Sequence, residues 1–221
     1  MEKLQAIVKK VKTESPTIKR IYFLLDNDWK LEYTAGQYIT VFIDGSKVTE
    51  GKAYSLSSAP CEEYMSITVK NVGGEFSGYL CGLKKGSKFT VSRAYGFFKP
   101  ETTRSIVALA SGVGISPIIS VLKDQPDGKS HLYYSNKTHK YIPHKDDLAR
   151  LKVTVNHHIT ADNNAPDHMA KGRISLDNCV AAVEDAFYMI CGSVSFVRDM
   201  WQGLVARGIK PEHITTETFF E

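Results

Sequence analysis

"SIVALASGVGISP", residues 105–117, decides how the chain is read. Its first half, Ile106 to Ala110, is a continuous apolar run. A strand buried on both faces needs that pattern, as in a parallel sheet. Gly112 and Gly114 follow, and then a helix signal in "ISPIISVLKDQ", with Pro117 near its first turn, where a missing N–H costs little. The two glycines allow a tight turn and leave room for a flat or anionic ligand. Free amides at the helix start add a positive end. Pro117 replaces the third glycine of the full dinucleotide fingerprint. Alone, the stretch fits a structural turn as well as a ligand site.

Beyond it, strands alternate with helices. Strand "HLYYS" is followed by helix "HKDDLARL", strand "KVTVNHHI" and helix "LDNCVAAVEDA". Strand "FYMICG", helix "SFVRDMWQGLVARG" and strand "ITTETFF" complete the series. In the last helix Val197, Met200, Trp201, Leu204 and Val205 form one core-facing stripe, and Gly208 closes it. Such alternation predicts a parallel sheet with right-handed crossovers, binding ligands beyond the carboxyl ends of its strands. The polar segment 160–172 has no periodicity and reads as a surface loop.

Before residue 100 the pattern differs. Short strands are predicted at 4–11, 18–25, 37–43, 53–58, 65–72 and 88–93, with a short helix over 77–83. Turn signals "TAG", "DGS", "NVGG" and "KKG" separate them. Six short strands at near-regular spacing suggest a small antiparallel barrel. The expected fold is therefore a two-domain β plus α/β protein: a six-stranded antiparallel β-barrel over 1–100, then an open parallel α/β domain over 101–221.

Bulk properties exclude several classes. The 221 residues are 43% hydrophobic, with 28 basic and 24 acidic residues and a formal charge of +4. That charge is too mild to argue for nucleic acid. No apolar run approaches a membrane span of roughly 18–20 residues, and "MEKLQAIVKKVKTESP" has no signal-peptide pattern, so a cytoplasmic protein is expected. Cys61, Cys81, Cys179 and Cys191 form no C-x-x-C pair, and no metal is expected. His157 and His158 are adjacent and would face opposite sides of a strand.

Three further motifs bear on chemistry. In "VGGEFSGYL", Gly73-Gly74 precedes a helix with Ser77 near its first turn; amides plus a hydroxyl make a phosphate cradle or an ordinary helix cap. "ICGSVSF" ends a buried strand at Cys191-Gly192-Ser193, where a cysteine is either core or cleft-lining. "GKAYSLSSAP", residues 51–60, carries Tyr54, Ser55, Ser57 and Ser58. Alternation sets Tyr54, Leu56 and Ser58 against Ala53, Ser55 and Ser57. The second, nearly bare face suits a planar group, or its serines bond to backbone.

In this order the motifs resemble the ferredoxin–NADP reductase superfamily over nearly the whole chain. The resemblance rests on Ala35-Gly36-Gln37-Tyr38, Lys52-Ala53-Tyr54-Ser55, Ile67-Thr68-Val69-Lys70 and Gly74-Glu75-Phe76-Ser77. It continues through Gly112-Val113-Gly114-Ile115-Ser116-Pro117, Cys191-Gly192-Ser193 and Glu217-Thr218-Phe219. It implies bound FAD and NADPH or NADH as hydride donor. Hydride would pass to the flavin and electrons onward to a separate small carrier such as ferredoxin or flavodoxin. Alternatives within the resemblance are a reductase using flavin as substrate, and an electron-transfer subunit of a larger complex.

By the same resemblance Tyr54 lies along the isoalloxazine, and Ser55, Cys191 and Glu217 serve the chemistry. Lys52, Ala53, Thr68, Val69, Lys70, Gly74, Phe76 and Ser77 hold the flavin, and Phe219 covers its other face. Gly112, Val113, Gly114, Pro117, Gly192 and Ser193 admit the nicotinamide nucleotide. Ser135, Asn136, Lys137 and Tyr141 face its ribose end. That end offers cations for a 2′-phosphate and no acid for a 2′-hydroxyl, which leans towards NADPH. One departure stands out: Lys52 occupies the place of the family's arginine. It keeps the charge but loses the planar fork, so looser flavin retention is expected.

Overall fold

Residues 4–95 form one antiparallel sheet. Its strands are β1 (Leu4–Ser15), β2 (Ile18–Leu25), β3 (Tyr38–Phe42), β4 (Lys52–Ser55), β5 (Met65–Lys70) and β6 (Lys88–Tyr95), in spatial order β4-β3-β6-β1-β2-β5. The computed structural model describes residues 2–125 and 129–219. Alternation does the work predicted for it. In β1, Ala6 and Val8 point inward while Gln5 is exposed. Ala6, Val8, Ile21, Phe23, Ile39, Val41, Met65 and Phe89 share one core. Each large side chain buried there stabilises the fold by about 1.5–3 kcal/mol. A bridge between Leu56 and Ile67 joins the two edges, so the sheet rolls into the expected barrel. Helix α1 (Glu75–Gly82) lies between β5 and β6.

Some boundaries differ from those predicted. β1 continues to Ser15 and β6 to Tyr95. β4 stops at Ser55 rather than 58, because Ser57 and Ser58 turn inward. Ser57 Oγ lies 2.9 Å from Ser66 Oγ, and Ser58 Oγ lies 2.9 Å from Tyr33 Oη. These two serines bond within the barrel and do not present a face to a ligand.

The second sheet is parallel throughout. It contains β7 (Ile106–Ser111), β8 (His131–Asn136), β9 (Thr154–Ile159), β10 (Ala170–Lys171), β11 (Phe187–Ser193) and β12 (Ile214–Phe219), in order β10-β9-β8-β7-β11-β12. Helices α2 (Ile115–Asp124), α3 (Lys145–Leu148), α4 (Leu176–Ala181) and α5 (Val194–Val205) connect them. Strand order reverses between β7 and β11. Such a switch point opens a crevice at the carboxyl ends of the strands.

Here too the prediction is refined. α3 has only four residues, since Arg150 and Leu151 amides bond three residues back and tighten its last turn. α4 ends at Ala181, before Asp185 turns with φ +53°. The loop 160–172 adds the short edge strand β10. Phe220, placed in the last predicted strand, lies outside the described residues. In α5, Val197 and Leu204 are buried, but Trp201 is 37% exposed and not a core residue. α4 packs Leu176 near Gly203 on one shoulder of the stripe, and Trp201 sits on the other, uncovered one. His157 and His158 do face opposite sides, beside Tyr134 and Tyr133 respectively.

The two halves are tied together. Ala35 and Phe98 enter the core formed by Ile115, Ile118 and Val121. Ser120 Oγ donates to the Ser58 carbonyl at 2.6 Å and accepts from the Gly36 amide at 3.2 Å.

Candidate active site between the two sheets

A cleft of about 1390 Å³ opens where the carboxyl ends of β7, β8, β11 and β12 face β4, β5 and α1. That exceeds the roughly 300–1,000 Å³ of a pocket for one small molecule, so two ligands fit.

On the barrel side the cleft is lined by Lys52, Ala53, Tyr54 and Ser55. Tyr54 and Ser55 both reach it, although alternation separates them: β4 is an edge strand that ends there, so the cleft wraps round its end. Lys52 and Ala53 are exposed. Lys52 Nζ lies 5.5 Å from the centre of the Phe76 ring, beside the first turn of α1. The opening amides of that helix have no intrahelical acceptor, so cation and helix start together present positive charge to the cleft. Gly74 and Phe76 also line the cleft. Ser77 also borders the cleft, but its hydroxyl is engaged, donating to the Gly74 carbonyl at 3.1 Å and accepting from the Val72 amide.

Thr68, Val69 and Lys70 form the floor. Thr68 is held from behind by a residue that sequence reasoning missed. Its Oγ1 lies 2.7 Å from His144 Nε2, on the second half of the chain. Arg20, which only donates, reaches His144 Nδ1 at 2.9 Å. The same Nδ1 lies 3.1 Å from Asp147 Oδ2, so Arg20 and Asp147 ask opposite roles of it. Thr68 in turn donates to Ser57 Oγ at 3.1 Å. Burial lowers the His144 pKa to about 4, keeping the ring neutral near pH 7. Asp147 pairs with Arg20, and Lys123 lies 3.2 Å from it. Burial opposes ionisation of Asp147, but its contacts with His144, Arg20 and Lys123 outweigh that and hold the carboxyl well below the usual range. Nothing in the spacing of "PHKDDLARL" announced this cluster; it exists only because α3 packs onto β2 and β5.

On the opposite wall, Gly112 has φ +52°, and a Cβ there would meet nothing within 4 Å. Gly114 plays another part: a Cβ would collide with the Cys191 carbonyl, so this glycine lets the turn pack against β11. Val113, Gly192 and Ser193 line the cleft. Two predicted residues do not. Pro117 is buried inside α2, where its ring fills core. Cys191 is 0% exposed and packs with Ala110 and Ile115, because β11 is flanked by β7 and β12 and this side faces α2. Its thiol pKa is pushed well up by burial and the nearby Glu217 carboxylate.

Glu217 sits beside Cys191 on β12 and reaches across to the barrel, where its Oε1 accepts from Ser55 Oγ at 3.3 Å. Its other oxygen is buried without a partner. Burial raises its pKa to about 7, against the lowering by Ser55. Phe219 lines the same region.

The far end of the cleft is bordered by Ser135, Asn136, Lys137 and Tyr141. Asn136 Nδ2 is a buried donor with no partner. Arg173, exposed on the rim beside Gly172, was not anticipated. It directly follows the loop 160–172, which has no periodicity to announce it. Asp199, an acid that lines the same cleft, lies 3.9 Å from Arg173, and Asp162 nearby is engaged by Thr138 and His139 at 2.9 and 2.7 Å.

A parallel sheet with a switch-point crevice, facing a barrel edge across one cleft, defines a two-part flavin and nicotinamide oxidoreductase. The chain belongs to the ferredoxin–NADP reductase superfamily. Residues 5–99 match the oxidoreductase FAD-binding domain and residues 108–202 the oxidoreductase NAD-binding domain. It is 32% identical over 234 residues to a flavohemoprotein of Bacillus subtilis, covering 96% of this chain and 58% of that protein. A flavohemoprotein of Bacillus cereus is 30% identical over 241 residues, with 96% and 60% covered. The chain thus spans about three fifths of the length of the curated relatives it matches. Among solved structures, the flavohem-like FAD/NAD-binding domain of nitric oxide dioxygenase from Vibrio cholerae aligns with a TM-score of 0.88 at 23% identity, covering 98% of both chains. A ferredoxin NADP+ reductase of Neisseria gonorrhoeae, with bound FAD and NADP, aligns at 0.83 and 20% identity over 100% of both.

The residues present fit the cofactors of this family, FAD and a nicotinamide nucleotide. The cleft has room for both. Lys52 beside the α1 amides suits a pyrophosphate, and Asn136 Nδ2 and Glu217 Oε2 are buried polar atoms still lacking partners. Among the described residues, no helix is long and apolar enough to cross a membrane.

Proposed function

We propose that this chain is the reductase unit of an NAD(P)H-driven electron-transfer system. It takes hydride from a nicotinamide nucleotide bound against β7, β8 and β11, and delivers electrons to a protein acceptor. The observation that carries this reading is the cleft shared by both sheets, with Ser55 and Glu217 meeting across it. When bound, FAD supplies the conversion of a two-electron hydride transfer into single-electron release.

The chain's own residues bind, orient and move protons. Lys52 and the first amides of α1 neutralise the flavin's phosphates. Tyr54 and Phe219 wall the ring site and exclude water. Thr68, Val69 and Lys70 support it from below. Glu217 is poised near neutral pH to hold or release a proton at Oε2, with Ser55 Oγ donating to Oε1 and orienting the group. Gly112, Val113, Gly192 and Ser193 receive the nucleotide, and Ser135, Asn136 and Tyr141 its ribose end. Cys191 acts through the backbone packing of Gly114 rather than by contact. Lys137 and Arg173 favour a 2′-phosphate, hence NADPH. The division between the flavin and nucleotide halves falls near residue 100, between β6 and β7.

The acceptor on this reading is a small carrier such as ferredoxin or flavodoxin. A haem acceptor is the second reading, favoured by the flavohemoprotein relatives. Anaerobic titration of purified protein with NADH and with NADPH, followed by visible absorbance, tests the reductase reading. Stoichiometric bleaching of a bound flavin is expected; no bleaching by either nucleotide overturns it. Reduced protein is then mixed with ferredoxin, flavodoxin or a haem protein, and the fastest salt-sensitive reoxidation identifies the acceptor class.

A further inference from the structure

Tyr134 is fully buried in β8, yet carries a hydroxyl. A buried hydroxyl without a partner is costly, so its bond needs an account. The bond goes to the Gly112 carbonyl, at 2.7 Å. β8 pairs with β7 so that Tyr134 lies directly beside Ala110, two residues before that glycine. Ala110 is small, which lets the ring lie alongside β7 and reach the turn. On the other side the His157 ring, 6.1 Å away, holds the ring in place. The Gly112 carbonyl also accepts from the Ile115 amide. Both of its lone-pair directions are therefore used, and the carbonyl is pinned towards the protein.

A peptide group is planar and trans, so its C=O and N–H point opposite ways. Pinning the Gly112 carbonyl turns the Val113 N–H the other way, on the side where Val113 borders the cleft. Gly112, at φ +52° with open space at its Cβ position, is the residue about which this peptide would otherwise rotate.

We propose that Tyr134 is a positioning residue for the nicotinamide nucleotide: its phenol holds the Gly112 carbonyl and so presets the Val113 amide as a donor to the bound nucleotide. The proposal rests on the nucleotide site assigned above. It gives a core residue that never touches the nucleotide a share in its affinity.

Tyr134→Phe removes one atom and leaves the Ile115 bond in place. The Michaelis constant for the preferred nucleotide is expected to rise about five- to tenfold, the scale of one hydrogen bond. Turnover at saturation should stay within about twofold, and flavin content and thermal midpoint should be close to those of the parent. Gly112→Ala strains the same peptide without a clash. The double variant should therefore lose less than the product of the two single effects, since both act on one group. An unchanged Michaelis constant in Tyr134→Phe, parallel loss of turnover and flavin, or fully multiplicative effects would overturn the proposal. Failure of either nucleotide to reduce the parent protein would instead overturn the site assignment beneath it, and this proposal with it.

Discussion

Ser55 Oγ lies 3.3 Å from Glu217 Oε1, joining the last residue of β4 to β12 across 162 positions of sequence. One carboxyl group thus meets both walls of the cleft. Burial holds its pKa at about 7, so near neutral pH it is roughly half protonated. With Glu217 as proton holder, turnover should fall as pH rises through about 7. Glu217→Gln, which can still accept from Ser55, should show no inflection there. The stability effect has a definite sign. A carboxyl whose folded pKa is raised favours the folded state below its unfolded value near 4.5, and that contribution is lost as pH rises through about 7. Unfolding midpoints of the parent should therefore fall, relative to Glu217→Gln, between about pH 5 and pH 8.

Lys52 supplies a charge beside α1 but no planar fork. Arginine there would offer paired donors to a pyrophosphate. Lys52→Arg should bind FAD roughly three- to tenfold more tightly, as read from flavin dissociation on dilution or gel filtration. Equal or weaker retention would show that charge alone sets the affinity.

Arg20, Glu14 and Asp147 are all nearly excluded from solvent, with side chains 3%, 4% and 8% exposed. Asp147→Ala would leave the Arg20 cation between the two halves with Glu14, 3.1 Å away, as its remaining carboxylate. Breaking such a buried pair costs about 3–5 kcal/mol, a large share of a domain's 5–15 kcal/mol. Denaturant unfolding of this variant measures it; a loss below 1 kcal/mol would mean that water reaches the pair freely.

His144 adds an acid sensitivity of opposite sign to that of Glu217. Burial depresses its pKa to about 4, so its contribution is present above about pH 6.5 and lost as pH falls towards 4. Arg20, Asp147, Lys123 and Thr68 face it from the neighbouring elements. His144→Asn, with a residue that tolerates the native φ of +61°, should flatten the fall of the unfolding midpoint between pH 6.5 and 4.5.

Lys137 and Arg173 are the cations on the ribose rim of the cleft. Replacing either by alanine should lower kcat/KM for NADPH roughly five- to tenfold and leave NADH within about twofold, the difference shrinking in high salt. Equal losses with both nucleotides would assign these residues to the pyrophosphate instead.

Periodicity and turn chemistry carried the architecture. The apolar run 106–110 and its glycine turn gave a parallel strand and its crossover helix. Alternation over the first hundred residues gave the barrel, because a strand's two faces are written every second residue. Most candidate site residues were also legible, since glycines and hydroxyls at strand ends mark where backbone approaches a ligand. What escaped depended on packing between elements distant in sequence. Trp201 lies on the right helical stripe but on an uncovered shoulder. Cys191 sits at the right strand end but faces α2. His144 supports Thr68 only because α3 lands on β2 and β5, and Tyr134 reaches Gly112 only because β8 pairs with β7 in one register. Local sequence determined which elements form and where their ends carry chemistry. Tertiary structure alone decided which side chains share a wall, because burial and hydrogen bonding across 22 to 162 residues are properties of packed surfaces, not of neighbours in the chain.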